Sequence, residues 1–327
     1  MVLAQEELQL EVTEVRPEAR DVLLIELRSP SGVPLPAFTP GAHLELSLPN
    51  QLVRHYSLSN DCRERDRYVI GVGLAAQSRG GSEFIHRFVR CGDLLTVRGP
   101  RNHFALDTAA LDYLLIAGGI GITPIMSMVR WMADNAKCWR LIYTSRSRQR
   151  AAFYEELRSY GDFVHFHFDD EMGGIADIAQ LLSAQAEGSH IYCCGPAPLM
   201  QAVEQATTHL PEDRVRYERF SAPPAAEQDT EGETPHNSAT GFTVELKRSG
   251  VSLEIPADKS ILEVLEAHGY QVPFSCREGL CGTCETKVCG GEPEHRDYVL
   301  SEEQQAAGTA MMICVSRAKS ETLVLDL

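Results

Sequence analysis

The sequence predicts a multidomain protein in which an antiparallel β-barrel precedes an α/β domain with a parallel sheet and a smaller C-terminal domain. Three observations predict this order. The chain has 327 residues, more than one ordinary core requires, so two or three domains are expected. Short β-rich runs fill the first hundred residues, whereas strands alternate with helices after Leu111. A stretch without Phe, Trp or Tyr then precedes the C-terminal part.

The first domain is assigned to residues 1–107. Clusters of Pro, Gly, Asn and Ser separate its predicted strands, which cover residues 8–15, 21–27, 43–48, 67–72 and 94–98. Another apparent strand ends at Arg54-His55-Tyr56-Ser57. Many short strands divided by turn residues are typical of a small antiparallel barrel.

The second domain is assigned to residues 108–222. Its predicted strands cover residues 113–117, 139–143, 164–168 and 190–194. Predicted helices alternate with them over residues 124–133, 153–160, 175–186 and 198–209. This alternation is what a parallel sheet with crossover helices requires.

Residues 223–240 are predicted to be a linker, because a segment without aromatic residues buries too little apolar surface to fold alone. The third domain, residues 241–327, begins with a predicted hairpin of strands 242–246 and 251–255. Ser260 and Glu263 then form a capping box that opens a helix over residues 261–267.

The composition excludes several classes of protein. A formal charge of −16 argues against a nucleic-acid partner, which calls for clustered Lys and Arg. The acidic start of the chain resembles neither a signal peptide nor a transit sequence, so a cytoplasmic location is expected. The most apolar stretch, residues 113–129, is too short and too interrupted by Gly and Pro to span a membrane. The ten cysteines are expected to be reduced thiols or metal ligands.

Four cysteines have a spacing that indicates a metal centre. Cys276, Cys281 and Cys284 form C-x4-C-x2-C, and Cys314 follows after 29 further residues. This is the plant-type [2Fe-2S] spacing. Cys289 is off the pattern and is interpreted as a buried free thiol.

The loop between these cysteines contains Gly279 and Gly282, whose backbone can come close to the sulfurs of a negatively charged cluster. A four-cysteine zinc site and unligated core cysteines are the alternatives. Zinc sites favour two C-x2–4-C pairs, whereas here three cysteines share one loop.

Two barrel motifs together suit the phosphate and ring of a flavin. Arg54 offers a charge, and Gly81 and Ser82 present amides at a predicted helix N-terminus, where the dipole favours an anion. Tyr56 is expected to lie flat on the isoalloxazine and Ser57 to reach its N5. A buried strand tyrosine beside an ordinary glycine turn is the alternative for either motif taken alone.

A strand, a glycine turn and a helix start follow in the second domain. Gly119, Gly121 and Pro124 give G-x-G-x-x-P, whereas the Rossmann fingerprint has a glycine at the last position. A different nucleotide-binding family is therefore indicated. Cys194-Gly195-Pro196 ends another strand at the same sheet edge, where open α/β sheets bind ligands.

These motifs and their order resemble the phthalate dioxygenase reductase family of the ferredoxin–NADP reductase superfamily. The resemblance covers essentially the whole chain. It implies FMN rather than FAD, NADH as the electron donor, and a C-terminal ferredoxin domain of β-grasp fold. It also implies a Rieske-type terminal oxygenase or O-demethylase as the partner.

The resemblance further implies roles for individual residues. FMN would be bound by Arg54, His55, Tyr56, Ser57, Val72, Gly73, Gly81, Ser82, Thr123 and Phe220. The nicotinamide nucleotide would be bound by Gly119, Gly121, Cys194, Gly195 and Pro196. Ser57 and Cys194 would be catalytic, beside N5 of the flavin and the hydride-donating carbon, although a structural role stays open for the Cys194 thiol.

The predicted function is electron transfer from NADH to FMN, to [2Fe-2S] and to the terminal oxygenase. A nicotinamide gives two electrons at once and the cluster takes one, so a flavin is needed between them. A reductase for a P450 or another haem acceptor and a non-catalytic carrier or sensor are the alternatives. Arg146 and Arg148 also leave NADPH open as the donor, since arginines there can accept a 2′-phosphate.

Overall fold

The computed structural model describes residues 7–50, 52–75, 78–183, 188–221 and 241–327. The chain forms two compact units, Met1–Phe220 and Ser221–Leu327. The predicted linker, residues 223–240, lies outside the described residues. Within these residues, every helix is too short or too polar to span a bilayer.

The first sheet of the first unit is the predicted antiparallel barrel. Its strands and one helix are β1 (Leu8–Ala19), β2 (Val22–Arg28), β3 (His43–Ser47), β4 (Val53–Ser57), β5 (Tyr68–Gly73), α1 (Gly81–Phe88) and β6 (Leu94–Arg101). The order is β4-β3-β6-β1-β2-β5. A bridge between Leu58 and Ile70 joins the two edge strands and closes the barrel. Both side chains are fully buried in the barrel core.

The second sheet of this unit is parallel and has helices on its faces. Its elements are β7 (Asp112–Gly118), α2 (Ile122–Asp134), β8 (Cys138–Ser145), α3 (Tyr154–Arg158), β9 (Val164–Phe168), α4 (Asp169–Met172), α5 (Ile178–Ser183), β10 (His190–Cys194), α6 (Ala197–Thr207) and β11 (Val215–Glu218). The strand order is β11-β10-β7-β8-β9.

The sequence pattern missed β11 and misplaced the start of α5. No residue of β11 is fully buried, so the strand lacks the apolar run that marks its neighbours. The helix predicted over 175–186 begins at Ile178, and Ile175 is 84% exposed. Residues 184–187 of that prediction lie outside the described part of the chain.

The C-terminal unit contains a mixed sheet. Its elements are β12 (Phe242–Leu246), β13 (Val251–Ile255), α7 (Ile261–Ala267), β14 (Glu285–Gly290), β15 (Pro293–Glu294), α8 (Glu302–Ala307), β16 (Ala310–Met312), β17 (Arg317–Ala318) and β18 (Thr322–Leu325). The sheet order is β13-β12-β18-β14-β16. The predicted hairpin and the Ser260–Glu263 capping box are confirmed. Apolar residues of α7 join the core of this sheet.

Candidate functional site

The two halves of the predicted phosphate-binding motif meet at the N-terminus of α1. Gly80 precedes this helix with φ +85°. The Arg54 side chain crosses the first helical turn so closely that a Cβ on Gly81 would lie 2.5 Å from Arg54 Nε. Arg54 Nη2 donates to the Arg79 carbonyl oxygen at 2.6 Å. A guanidinium and a helix N-terminus therefore stand side by side, an arrangement that fits a phosphate group.

The rest of β4 presents the other predicted flavin residues. Burial raises the pKa of Tyr56 to about 12, so its phenol stays neutral. His55 contacts Glu45 and His43 of β3, with His55 Nε2 4.0 Å from Glu45 Oε2. Ser57 is buried at the end of the strand. The roles of His55 and Ser57 toward a flavin stay predictions.

The glycine turn after β7 packs against the Cys-Gly-Pro turn after β10. A Cβ on Gly121 would lie 2.2 Å from the Cys194 carbonyl oxygen. A Cβ on Gly118 would lie 2.6 Å from Pro196 Cδ. Because β7 has β8 on one side and β10 on the other, the two turns flank the point where the sheet order reverses. Open α/β sheets bind ligands at this position.

The barrel and the parallel sheet meet at a residue that sequence reasoning missed, Glu218. This glutamate ends β11 and pairs in register with Cys194 at the end of β10. Ser57 Oγ of the barrel donates to Glu218 Oε2 at 3.3 Å. No local signal marked it, because β11 lacks the apolar run that would have placed Glu218 at the carboxyl end of a parallel strand, the ligand edge of the sheet.

The two ionisable groups at this meeting point, Glu218 and Cys194, favour their neutral forms. Burial raises the pKa of Glu218 to about 8, so the protonated acid predominates at neutral pH. Burial, with the nearby Glu218, also raises the pKa of the Cys194 thiol well above its usual value. Neutral groups at this position suit hydride transfer, in which water must be excluded and no protein nucleophile is required.

The remaining predicted residues lie around this point. The Val72 carbonyl oxygen is 2.9 Å from His86 Nε2, and Gly73 faces the glycine turn after β7. Thr123 is buried, and its hydroxyl donates to a backbone carbonyl of the same turn at 3.0 Å. Phe220 lies two residues beyond the end of β11 and is 43% exposed. Their contacts with a flavin stay predictions.

Arginine side chains follow β8, and acidic side chains follow β9, at the same edge of the sheet. Arg148 is held by Glu171, with its Nη2 2.9 Å from Glu171 Oε2, and its guanidinium lies over the rings of Tyr154 and Phe168. Three consecutive carboxylates form the first turn of α4. The Asp170 amide donates to the Arg146 carbonyl oxygen at 3.2 Å. The acidic turn therefore lies beside Arg146, where the sequence places the 2′-position of the nucleotide ribose (the predicted ribose site).

The four motif cysteines of the C-terminal unit form one chain of neighbours. The Cys276 thiol lies within hydrogen-bonding range of Cys281 and Cys314, and Cys314 lies within that range of Cys284. Cys276 Sγ also accepts from two backbone amides of its loop at 3.3 and 3.4 Å. Amides directed at sulfur are what an anionic iron–sulfur cluster needs.

The loop keeps this shape because glycines occupy left-handed positions. Gly279 and Gly282 have φ +67° and +69°. Cys289 is a free thiol but is half-buried rather than buried as predicted, because β14 exposes one side.

Comparison with known proteins agrees with this geometry. Residues 244–319 match the 2Fe-2S iron-sulfur cluster binding domain, and residues 115–205 match the oxidoreductase NAD-binding domain. The chain is 48% identical over 309 residues to phenoxybenzoate dioxygenase subunit beta of Ectopseudomonas oleovorans, covering 94% of each chain.

Two solved structures are similar over nearly the whole chain. Phthalate dioxygenase reductase, solved as a modular structure for electron transfer from pyridine nucleotides to [2Fe-2S], matches with a TM-score of 0.70 and 42% identity over 98% of each chain. An intact type IV self-sufficient cytochrome P450 monooxygenase matches with a TM-score of 0.89 and 38% identity. That match covers 98% of this chain and 41% of the P450 chain.

Proposed function

The chain belongs to the phthalate dioxygenase reductase family, and we propose that it is the reductase component of an aromatic-ring dioxygenase or O-demethylase. It is a nicotinamide-dependent oxidoreductase that uses a flavin and a [2Fe-2S] cluster. With both groups bound, electrons would pass from the nucleotide to the flavin, then to the cluster, and would leave for a separate terminal oxygenase.

One observation carries the proposal. Strand β4, which carries the flavin motif, ends at Ser57, and Ser57 forms a hydrogen bond with Glu218 of β11. Glu218 pairs with Cys194, the residue that begins one of the two nucleotide turns. Hydride transfer requires the two rings to be in contact, and effective positioning supplies about 7–11 kcal/mol of the barrier reduction in well-oriented reactions. A protein that brings both motifs together in this way is built for that transfer.

The residues of the chain bind, orient and exclude water. When bound, the flavin accepts electrons as a pair and releases them singly, which a one-electron cluster requires. Arg54 and the amides that begin α1 would hold its phosphate, and Tyr56 would support its ring system. Glu218 accepts the Ser57 hydrogen bond and so fixes the direction of that hydroxyl. Gly121 allows the nucleotide turn to come close to Cys194.

FMN is the proposed flavin. The guanidinium of Arg54 and the first turn of α1 provide for one phosphate group, as FMN requires. We also propose a cytoplasmic location, because the described cysteines are free thiols and need reducing conditions.

NADH is the proposed donor. The Arg148 guanidinium is already paired with Glu171. The consecutive carboxylates of Asp169, Asp170 and Glu171 would repel a 2′-phosphate at the adjacent ribose site. NADPH is therefore expected to be a poorer donor.

A P450 acceptor is the second candidate, favoured by the similarity to the reductase region of the self-sufficient P450. Mixing the reduced protein with a purified aromatic-ring oxygenase component and, separately, with a purified P450 would discriminate. Faster electron transfer to the oxygenase supports the main proposal, and faster transfer to the haem overturns its choice of partner.

The test of the function is an anaerobic visible titration with NADH and, in parallel, NADPH. We expect a flavin band and a broad iron–sulfur absorbance to bleach at low NADH, with FMN released on denaturation. Colourless protein, or coloured protein inert to both nucleotides, would contradict the proposal. Release of FAD would contradict the flavin assignment alone.

A further inference from the structure

A row of polar side chains on α2 connects the nucleotide turn to the flavin-binding barrel. The row consists of Thr123, Ser127, Arg130 and Asp134, spaced by four, three and four residues, so all four lie on one face of the helix. The helix begins directly after Gly121 of the nucleotide turn. Every member of the row contacts the barrel.

Thr123 and Ser127, the first half of the row, contact two segments of the barrel backbone. Thr123 lies against β5, and Ser127 bonds to the segment that leads into β3. A Cβ on Gly71 of β5 would lie 2.5 Å from Thr123 Cγ2. Ser127 Oγ accepts a hydrogen bond from the Gly41 amide at 3.1 Å and donates to the Pro124 carbonyl oxygen at 2.9 Å. Ser127 is fully buried, so this contact is shielded from competing water.

The second half holds the chain where it leaves β4. Arg130 donates to the Ser59 carbonyl oxygen, two residues after Ser57. The same guanidinium pairs with both carboxylate oxygens of Glu156, at 2.8 and 2.6 Å, which fixes its orientation. Asp134 pairs with Arg63 of the loop after β4. The flavin strand is therefore tied to α2 at its carboxyl end.

These ties act on the same few residues of the barrel. The Leu58 amide donates to the Ala42 carbonyl oxygen at 2.8 Å, so Gly41 and Ser59 lie on backbone segments that are bonded to each other. Ser57, which bonds to Glu218, is close in sequence to Ser59 and is therefore held by the same ties. Because α2 continues directly from the nucleotide turn, loss of these ties would let Ser57 move relative to that turn.

We propose that Ser127 and Arg130 are positioning residues for hydride transfer, which hold the end of β4 at the correct distance from the nucleotide turn. The inference rests on the proposed function. It assigns a role in that function to two residues outside the proposed flavin-binding and nucleotide-binding sets. A misplacement of about 1 Å can lower the rate of a positioned reaction about 100-fold. Closely packed interiors transmit such shifts rather than absorb them.

Space beside the Arg130 side chain makes the test practicable. Arg130 borders a polar cavity of about 370 Å³ that Asn60, Arg63 and Arg67 help to line. A shorter polar side chain at position 130 would leave space that water can fill. The variants to compare are Arg130→Gln, Arg130→Lys and Ser127→Ala.

Arg150→Gln is the matched control. Arg150 also belongs to the nucleotide-binding part and pairs with Asp21 of the barrel, but this contact is at the β1–β2 turn rather than at β4. The control therefore removes a guanidinium pair between the same two parts of the unit without releasing Ser57.

Two measurements are made on the flavin-loaded proteins. Stopped-flow reduction by NADH gives the limiting rate of hydride transfer and the apparent dissociation constant. Hydrogen–deuterium exchange without nucleotide reports the backbone of residues 57–60. We expect Arg130→Gln to lower the limiting rate at least tenfold, to leave the dissociation constant within twofold, and to speed exchange at 57–60. Ser127→Ala should slow the rate about threefold, and Arg130→Lys should recover part of the loss.

The outcomes separate the two proposals. A wild-type protein whose flavin NADH does not reduce overturns the proposed function and the inference with it. If NADH reduces the wild type and Arg130→Gln reacts at the same rate with unchanged exchange, the inference alone is overturned. An equal loss in Arg150→Gln would also overturn it, because the effect would then be general loosening between barrel and sheet.

Discussion

Replacing Glu218 with Gln removes the titratable group at the meeting point of the two cofactor motifs. Burial raises the pKa of this carboxyl to about 8. With that pKa, about nine carboxyls in ten are protonated at pH 7 and about one in ten at pH 9. With a flavin bound beside Ser57 as proposed, hydride transfer would bring negative charge there, so the neutral acid would favour transfer and the carboxylate would oppose it. The wild-type rate of flavin reduction should therefore fall about tenfold from pH 7 to pH 9.

The Gln variant should keep its pH 7 rate up to pH 9. Its amide oxygen can still accept the hydrogen bond from Ser57, but the side chain does not titrate. The assay is anaerobic stopped-flow reduction at saturating NADH between pH 6 and pH 9. Glu204→Gln is the control, because Glu204 lies on α6 and pairs with Arg219 instead. The same decline in Glu218→Gln and wild type would refute the assignment of the titration.

The same shift predicts a change in stability. A carboxyl whose pKa rises from 4.5 to about 8 on folding contributes stability that is fully present below pH 4.5 and is lost as the pH rises through about 8. Glu218→Gln should therefore gain stability relative to the wild type across this range. Allowing for the partial exposure of the side chain, the gain is on the order of 2 kcal/mol, measurable by denaturant unfolding of the flavin-free protein at pH 5 and pH 8.

Three further perturbations test other parts of the site. Cys314→Ser should abolish the iron–sulfur absorbance and cytochrome c reduction while NADH still bleaches the flavin; loss of both signals would contradict separate binding of the two groups. Glu171→Gln should raise kcat/KM for NADPH relative to NADH about tenfold, since it releases an arginine and removes a carboxylate near the ribose site; an unchanged ratio would count against that site. Gly121→Ala should weaken NAD binding at least tenfold, because the new Cβ would lie 2.2 Å from the Cys194 carbonyl oxygen, whereas Gly174→Ala meets no atom within 4 Å and should bind normally.

Much of the fold followed from local patterns. Strands of the barrel and the parallel sheet are recognisable because buried apolar runs alternate with turn residues, and the predicted hairpin of β12 and β13 matches the observed bounds. The exceptions have a physical reason. The half-exposed β11 has polar residues and no apolar run, so only its pairing with β10 makes it a strand.

The sequence by itself determined the chemistry that depends on spacing along the chain. Cys276, Cys281 and Cys284 lie in one loop, so their separation indicated the cluster, and the glycine turn before α2 indicated a nucleotide site. Tertiary structure alone decided which distant groups meet. Ser57 and Glu218 are separated by 161 positions, and no local pattern links them, because their contact depends on how the barrel packs against the parallel sheet.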